Sequence, residues 1–451
     1  MADWKIYELS DIGTIKTGKT PPSSNKKAFA NFGIPFVTPV DMKGQKWIDN
    51  TERFLSPSGF DEVKNYLVSE NSIAVSCIGS DMGKAVLLKH NSITNQQINT
   101  LTVNKNNNAE YIYYVLSQMQ DYLKSIAGGS ATPILNKTDF SKIKIKLPDL
   151  ETQNKVADFL KIFDQQIHLN TQTNQTLEAI AQAIFKSWFV DFDPVRAKAQ
   201  ALSEGKSEHE ANLAAMSVIC GKDTSELNDT EYKALWQIAE AFPSELVANE
   251  EFGEVPKGWE IAPLSTFGEI ICGKTPTKSK SEYYGNNIPF IKIPDMHGKV
   301  FITQTIDNLS LIGANSQATK YISKGSICVS CIATVGLVSL VSRKSQTNQQ
   351  INSIVPNNLN FSEYLYLYLS QSEMNKYMKS LASGGSATLN MNTSTFSSIQ
   401  ILKPNNEILD LFHKKSLDIF EKILKNEENN QILAQTRDLL LPKLLSGEME
   451  L

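Results

Sequence analysis

The chain has 451 residues, with 44 Lys+Arg against 48 Asp+Glu for a formal net charge of −4, and five cysteines. At roughly 100–200 residues per domain, the length accommodates two to four domains that each bury a core, which excludes disorder as a whole. The cysteines are too few and scattered for a secreted disulfide scaffold, and no run approaches the ~18 apolar residues of a membrane span. The first residues lack the basic-then-apolar pattern of a signal peptide, so a cytoplasmic location is expected. Taken alone, the mild acidity argues against nucleic acid as the partner.

The organisation follows from an internal repeat with a spacing of about 255 residues. Trp4, Leu9 and Gly18-Lys19-Thr20-Pro21 recur as Trp259, Leu264 and Gly273-Lys274-Thr275-Pro276. Ile34-Pro35-Phe36 and Asp41-Met42 recur as Ile288-Pro289-Phe290 and Asp295-Met296, and the run Ile73–Ile78 as Ile327–Ile332. Thr94-Asn95-Gln96-Gln97-Ile98-Asn99 returns at Thr347–Asn352, and Gly128-Gly129-Ser130-Ala131-Thr132 at Gly384–Thr388. The order is kept throughout, which identifies a duplicated domain.

In the first copy, Ile34–Thr38, Ile73–Ile78 and Ile98–Val103 are short β-branched and aromatic runs bounded by Gly, Pro and Asn, and read as strands. One helix is predicted over Glu110–Ile126. The expected fold class is α+β: two repeated mixed α/β domains at 1–150 and 254–405, joined by two long antiparallel coiled-coil helices. The helices are expected at 151–190 and 406–451, with a helical connector at 191–253 that shows little β signal.

After Pro148, residues Val156, Leu160, Phe163, Ile167, Asn170, Asn174, Leu177, Ala181, Ile184 and Trp188 follow the 4,3 spacing of a coiled-coil seam. After Pro404 the same seam reads Phe412, Ser416, Ile419, Ile423, Asn426, Asn430, Leu433, Arg437, Leu440 and Leu444. Antiparallel packing would set Asn170 against Asn430 and Asn174 against Asn426. Buried amides would then meet each other and fix register at some cost in stability. The alternative is that these Asn stay partly solvated and the helices pack elsewhere. Each helix, about 38 residues long, would span ~57 Å and act as a rigid spacer.

Divided at these boundaries, the formal charge is +3 in 1–150, −9 in 151–253, +5 in 254–405 and −3 in 406–451. Basic repeated domains suit a polyanion, and acidic helices suit a protein partner. A solvated surface without a ligand could carry the same charge.

Several motifs compete for a functional reading. Gly13-x4-Gly18-Lys19-Thr20 and Gly268-x4-Gly273-Lys274-Thr275 fit the phosphate-loop expression, which requires a helix starting at Lys-Thr. Here Pro21-Pro22 and Pro276 follow, and a residue before Pro leaves the α region. An exposed loop touching a DNA backbone phosphate is therefore expected in place of an ATP or GTP site. Cys328-x-x-Cys331 has no second pair at ligand spacing and is expected to be structural, and the five His form no ligand set. No methyltransferase or nuclease constellation is found, so no catalytic residue and no metal site is expected. The polar blocks remain. Backbone contacts to DNA are expected from Lys19, Thr20, Lys84, Asn95, Gln96, Gln97 and Ser130, and from Lys274, Thr275, Asn348, Gln349, Gln350 and Ser386. Residues common to both copies either support the common fold or bind phosphates. Base readout is expected in the divergent stretches Lys43–Asn65 and Gly298–Lys320.

In this order and duplicated, these blocks closely resemble the specificity subunit of type I restriction-modification systems over essentially the whole chain. The helix ending Ala183-Ile184-Phe185-Lys186-Ser187-Trp188-Phe189-Val190-Asp191-Phe192-Asp193-Pro194, the Val255-Pro256-Lys257-Gly258-Trp259 opening of the second half, and the terminal Leu441-Pro442-Lys443-Leu444-Leu445-Ser446-Gly447-Glu448 carry it further. The resemblance implies two target-recognition domains, each reading half of a bipartite asymmetric DNA sequence, with helices setting the gap. It implies two modification subunits that bind S-adenosylmethionine and methylate adenine N6, and two restriction subunits that use ATP and Mg. This chain itself would bind no cofactor and catalyse nothing. Two other readings are a nucleotide-using enzyme built on the two GKT loops and a bivalent adaptor for proteins.

Overall fold

The computed structural model describes residues 4–79, 82–128, 133–382 and 389–451. The chain divides into two compact units, Met1–His168 with Gln431–Leu451, and Leu169–Asn430.

In the first unit a five-stranded sheet runs in the order Gly13–Thr17, Ile98–Val103, Ile73–Ser76, Ala85–Leu88, Trp47–Ile48. Its pairs are antiparallel except the last, where Trp47 lies beside Leu87 in parallel. Ile73–Ser76 is buried at every position, which is why its sequence is continuously apolar instead of alternating. A second sheet orders Phe29–Ala30, Phe54–Leu55, Ile34–Val37 and Ile93–Thr94. A ribbon of Lys5–Glu8 with Lys144–Leu147 completes the strands.

The second unit contains the same pattern. Its five-stranded sheet orders Gly268–Cys272, Ile351–Pro356, Ile327–Ser330, Val338–Val341 and Phe301–Ile302. Asp307–Leu309, Tyr284–Ile291 and Gln346–Thr347 form the smaller sheet, and Glu260–Pro263 pairs with Gln400–Lys403.

Where one helix was expected over Glu110–Ile126, there are two, Ala109–Ser117 and Gln120–Ile126. No Gly or Pro marks the break. A tertiary bond does: Gln120 Nε2 donates to the Met82 carbonyl at 3.0 Å, drawing the second helix onto a neighbouring turn. The second copy has the equivalent pair, Ser362–Leu369 and Ser372–Ala382, with Asn375 Nδ2 donating to Gly336 O at 2.8 Å.

The long helices span Leu150–Phe189 and Asn406–Ser446. Each starts just after its proline with a side-chain cap: Asp149 Oδ1 accepts from Thr152 N–H at 2.8 Å, and Asn405 Oδ1 from Ile408 N–H at 2.9 Å. Every seam position read from the sequence is buried or half-buried. In the first unit Val156 and Leu160 share a core with Leu441 and Leu444. In the second, Trp188 packs edge-on against Phe412 at 5.7 Å between ring centroids. The first helix ends where Phe192 takes a left-handed φ of 56°, a conformation costly for a bulky residue and held by burial against Trp259.

The connector forms three helices, Asp193–Ser203, Glu208–Cys220 and Asp229–Ala241. It closes on a β-hairpin, Leu246–Asn249 with Gly253–Pro256, where little β structure was expected. The turn is made by Asn249, whose side-chain oxygen accepts from the N–H groups of Glu251 and Phe252 at 2.9 Å, and by Gly253 at φ 73°. Four-residue strands carrying Ala and Asn gave no periodic signal.

Candidate nucleic-acid interface

Gly18 leaves the edge strand Gly13–Thr17 and lies directly on the Thr94–Asn99 block. Its N–H donates to Ile98 O at 3.1 Å and Lys19 N–H donates to Thr94 O at 2.8 Å. A Cβ on Gly18 would stand 2.2 Å from the Thr94 carbonyl oxygen. The second copy repeats this: Gly273 N–H donates to Ile351 O at 3.1 Å, Lys274 N–H to Thr347 O at 2.9 Å, and a Cβ would stand 2.2 Å from Asn348 O. The glycine serves close backbone approach. Residues 18–22 and 273–277 are irregular, so no helix N-terminus faces a phosphate there.

The adjacent polar blocks divide into inward and outward groups. Asn95 and Asn348 are 8% and 7% exposed. Each holds its own turn: Oδ1 accepts from Gln97 N–H, or Gln350 N–H, at 3.1 Å, and Nδ2 donates to the same Gln side chain at 2.9 Å. Gln96 and Gln349 are exposed, and each accepts from a hydroxyl of the GKT loop, Thr20 and Thr275, at 2.6 Å. Lys19 and Lys274 are exposed, Lys19 with its ammonium 5.8 Å from the Tyr66 ring. Outward capacity therefore rests on Lys19, Thr20 and Gln96, and on Lys274, Thr275 and Gln349. Lys84 is half-buried on the turn beyond the central strand, its N–H donating to Ser76 Oγ at 3.0 Å. Ser130 and Ser386 lie outside the described residues.

The divergent stretches hang on one shared carboxylate whose role the sequence did not reveal. Asp41 Oδ2 accepts from Thr38 N–H and Thr38 Oγ1, and Oδ1 from Glu52 N–H, all at 2.8 Å. Asp295 Oδ2 accepts from Lys292 N–H at 2.8 Å and Oδ1 from Ile306 N–H at 2.9 Å. Each Asp thus closes a loop of variable sequence onto a constant sheet. Asp41-Met42 and Asp295-Met296 stood in the repeat, but their partners are backbone N–H groups eleven residues away, which no side-chain motif signals. Beyond these clasps the copies differ. In the first, the Arg53 guanidinium lies 4.6 Å from the Phe29 ring. In the second, Lys292 pairs with Asp307 and Ile306 is 76% exposed.

Within the second unit, Asn170 Nδ2 donates to Asn430 Oδ1 at 2.8 Å and Asn426 Nδ2 to Asn174 Oδ1 at 2.8 Å. Asn174 Nδ2 also reaches Ile423 O at 3.2 Å. Burial pushes the thiols of Cys77 and Cys331 up to about 11 and that of Cys328 to about 12, as for inert core cysteines. Among the described residues no His/Cys/Asp/Glu group could hold a metal ion, and no helix is long and apolar enough to cross a membrane.

Comparison with known proteins agrees with this duplicated architecture. The family model described as "Type I restriction modification DNA specificity domain" matches residues 1–179 and 256–435. The chain is 46% identical over 472 aligned positions to the Type I restriction enzyme HindI specificity subunit of Haemophilus influenzae, covering all of both chains. It is 25% identical to the Type I restriction enzyme MjaIX specificity subunit of Methanocaldococcus jannaschii, covering 99% of this chain and 94% of that one. The crystal structure of a type I restriction-modification S subunit from M. genitalium shares the fold, with a TM-score of 0.52 at 13% identity over 98% of this chain and 96% of that one. The chain belongs to the specificity subunits of type I restriction-modification systems, with two repeated DNA specificity domains.

Proposed function

We propose that each repeated domain reads one half of a bipartite, asymmetric double-stranded DNA sequence, and that the paired helices set the gap between the halves. The observation that carries this is the repetition of one scaffold with a constant clasp, Asp41 or Asp295, holding a loop whose sequence differs between copies. Two readers of different bases need a common frame and unlike contact surfaces. Lys19, Thr20 and Gln96, with Lys274, Thr275 and Gln349, serve as sequence-independent backbone contacts in this reading. Asn95, Gln97, Asn348 and Gln350 shape the turn that presents them.

The subunit positions chemistry performed by others. Two modification subunits bind S-adenosylmethionine and methylate adenine N6. Two restriction subunits use ATP and Mg. The specificity chain binds no cofactor, is not itself an enzyme, and works in the cytoplasm, where the DNA is. The acidic connector and helices offer docking surface to protein partners and not to phosphates.

Exchanging residues 1–150 for the corresponding domain of another family member, followed by mapping of methyladenine in DNA modified by the assembled complex, tests the reading. One half of the methylated sequence should change while the other half and the gap persist. A change in both halves, or in neither, would overturn it.

A further inference from the structure

The two recognition domains differ in one surface feature that the repeat makes directly comparable. In the second copy, Ile322 and Ser345 form an antiparallel bridge, with mutual N–H···O bonds of 2.9 and 3.0 Å. The two segments so joined carry Lys320, Lys324, Arg343 and Lys344, of which all but the half-buried Lys320 are exposed. The Lys344 ammonium lies 4.0 Å from the centre of the Tyr321 ring, which holds the charge at this surface. None of the four pairs with a carboxylate among the described residues. The acids of this domain are largely engaged elsewhere: Glu260 with Lys403, Asp307 with Lys292, Glu363 with His413, and Asp295 in the loop clasp.

The first copy has the same bridge, Val68 with Ser92, at 3.0 Å in both directions. At the corresponding positions it carries Tyr66, Glu70, His90 and Asn91. The neighbouring Lys89 and His90 are both taken by Asp49, at 2.7 and 2.8 Å. The position matching Asp49, set by the parallel pairs Ile48 with Leu88 and Ile302 with Val341, is Thr303 in the second copy. In the first domain Asp49 takes two of the cations at this surface, and those left are Lys16, which donates to Leu67 O at 2.9 Å, and Lys19 over the Tyr66 ring. The second domain carries four like charges on the two bridged segments themselves, an arrangement whose self-repulsion a polyanion relieves.

The four-charge surface also adjoins the loop already assigned to backbone contact. Gln317, three residues before Lys320, donates from Nε2 to Lys274 O at 2.8 Å and to Gln346 Oε1 at 2.8 Å. Gln346 lies two residues beyond Lys344, and Gln349 three residues further on. Lys274 and Gln349 therefore lie on segments tied to the same surface.

We propose that Lys320, Lys324, Arg343 and Lys344 form a phosphate-backbone contact surface for duplex DNA that is special to the second recognition domain. It makes that domain the dominant source of salt-sensitive affinity. The proposal rests on the reading that duplex DNA is the ligand, and it goes further in assigning the electrostatic share unequally.

The test measures affinity of the full chain, copurified with its modification subunits, for a mixed-sequence DNA duplex at a series of salt concentrations. Each phosphate contact contributes about 0.9 to the slope of log affinity against log salt. The combined K320Q, K324Q, R343Q and K344Q variant should lower that slope by about 2–4 and weaken binding to all sequences alike. K89Q with H90Q in the first domain should change it by less than about 1. A variant in the second domain that binds with the parent slope, while the parent binds steeply, overturns this proposal and leaves the function reading intact. A parent complex that binds no duplex overturns the function reading itself. Equal loss of slope from the two sets of substitutions would mean that the asymmetry does not exist. Lys324, Arg343 and Lys344 are exposed and Lys320 is half-buried, so an unchanged thermal melt is the control that separates lost contacts from lost fold.

Discussion

Asn174 and Asn426, 252 residues apart in sequence, face each other in the seam between the long helices with 2.8 Å between amide nitrogen and amide oxygen. Both are at least nine-tenths buried. A buried amide whose partner is removed loses its hydrogen bond without regaining water, at about 1–3 kcal/mol. Asn174→Leu or Asn426→Leu alone should therefore destabilise the chain by about that much in urea unfolding. The double Leu variant should recover most of the loss, giving a coupling energy of opposite sign. The gap in the methylated sequence should become heterogeneous in the double variant, because Leu against Leu no longer penalises a shifted register. Additive losses with a single gap would show that the amides do not define register.

The GKT loops make opposite demands on their glycine and their lysine. A methyl group on Gly18 or Gly273 would meet carbonyl oxygens at 2.2 Å, inside any tolerable contact. Gly18→Ala and Gly273→Ala should each destabilise by about 1–3 kcal/mol, the usual cost of overpacking. Lys19→Ala and Lys274→Ala, at exposed positions, should shift stability by less than about 0.5 kcal/mol and weaken DNA binding without altering the sequence read. ATP binding lost on the lysine changes would instead support a nucleotide loop.

The seam and the strands were legible because burial imposes periodicity that survives in one sequence: every seam position from Val156 to Trp188 is buried or half-buried. The irregular course of residues 18–22 and 273–277 was legible because Pro21 and Pro276 speak directly about the backbone. The break between Ser117 and Gln120 was not legible, since a bond from Gln120 to Met82 O causes it. The clasp of Asp41 on Glu52 was hidden for the same reason, and so was the inward use of Asn95 and Asn348. An Asn or Asp that serves backbone groups has the same letter as one that reads a base. The distinction lies in tertiary distances.

In the first unit, Asp164 of the long helix is the centre of an ionic cluster. It accepts from Arg437 at 2.6 Å, lies 3.1 Å from the Lys46 ammonium and takes a short hydrogen bond from the Tyr114 hydroxyl. Lys46 also pairs with Glu110 at 2.7 Å. Burial opposes ionisation of Glu110, but Lys46 and then Lys161 prevail and hold its carboxyl below the usual range. The Lys46 and Asp164 side chains are 8% and 12% exposed, so removing one partner strands the others. Asp164→Ala should cost about 3–5 kcal/mol, whereas Lys64→Ala, which breaks a surface pair with Asp61, should cost less than about 1 kcal/mol. Equal effects in chemical denaturation would show that the Asp164 cluster is solvated.

The second unit replaces that cluster with an arrangement of opposite pH behaviour. The Glu427 carboxylate, 9% exposed, accepts from Val300 and Phe301 N–H at 3.3 and 3.2 Å. Burial raises its pKa from 4.5 to about 7, against the opposing influence of Lys299 and the two N–H groups and with help from Glu178 nearby. The folded pKa lies above the unfolded one, so the native state holds a proton that the unfolded chain has lost between about pH 4.5 and 7. Stability attributable to this group is therefore full below pH 4.5, declines as pH rises, and is gone above about pH 7. The span of the decline is at most about 3.5 kcal/mol, from ~1.4 kcal/mol per pKa unit. Glu427→Gln keeps the acceptor and removes the titration. It should melt above the parent at pH 8, and the gain should shrink or vanish at pH 4.5, in paired thermal unfolding across the range. The His413 imidazolium, raised by its 2.8 Å hydrogen bond to Glu363 against the effect of burial, also favours the folded state at low pH, so it is common to both proteins and cancels in the difference. An advantage of the Glu427→Gln variant that does not vary with pH would mean that Glu427 is not neutralised by folding.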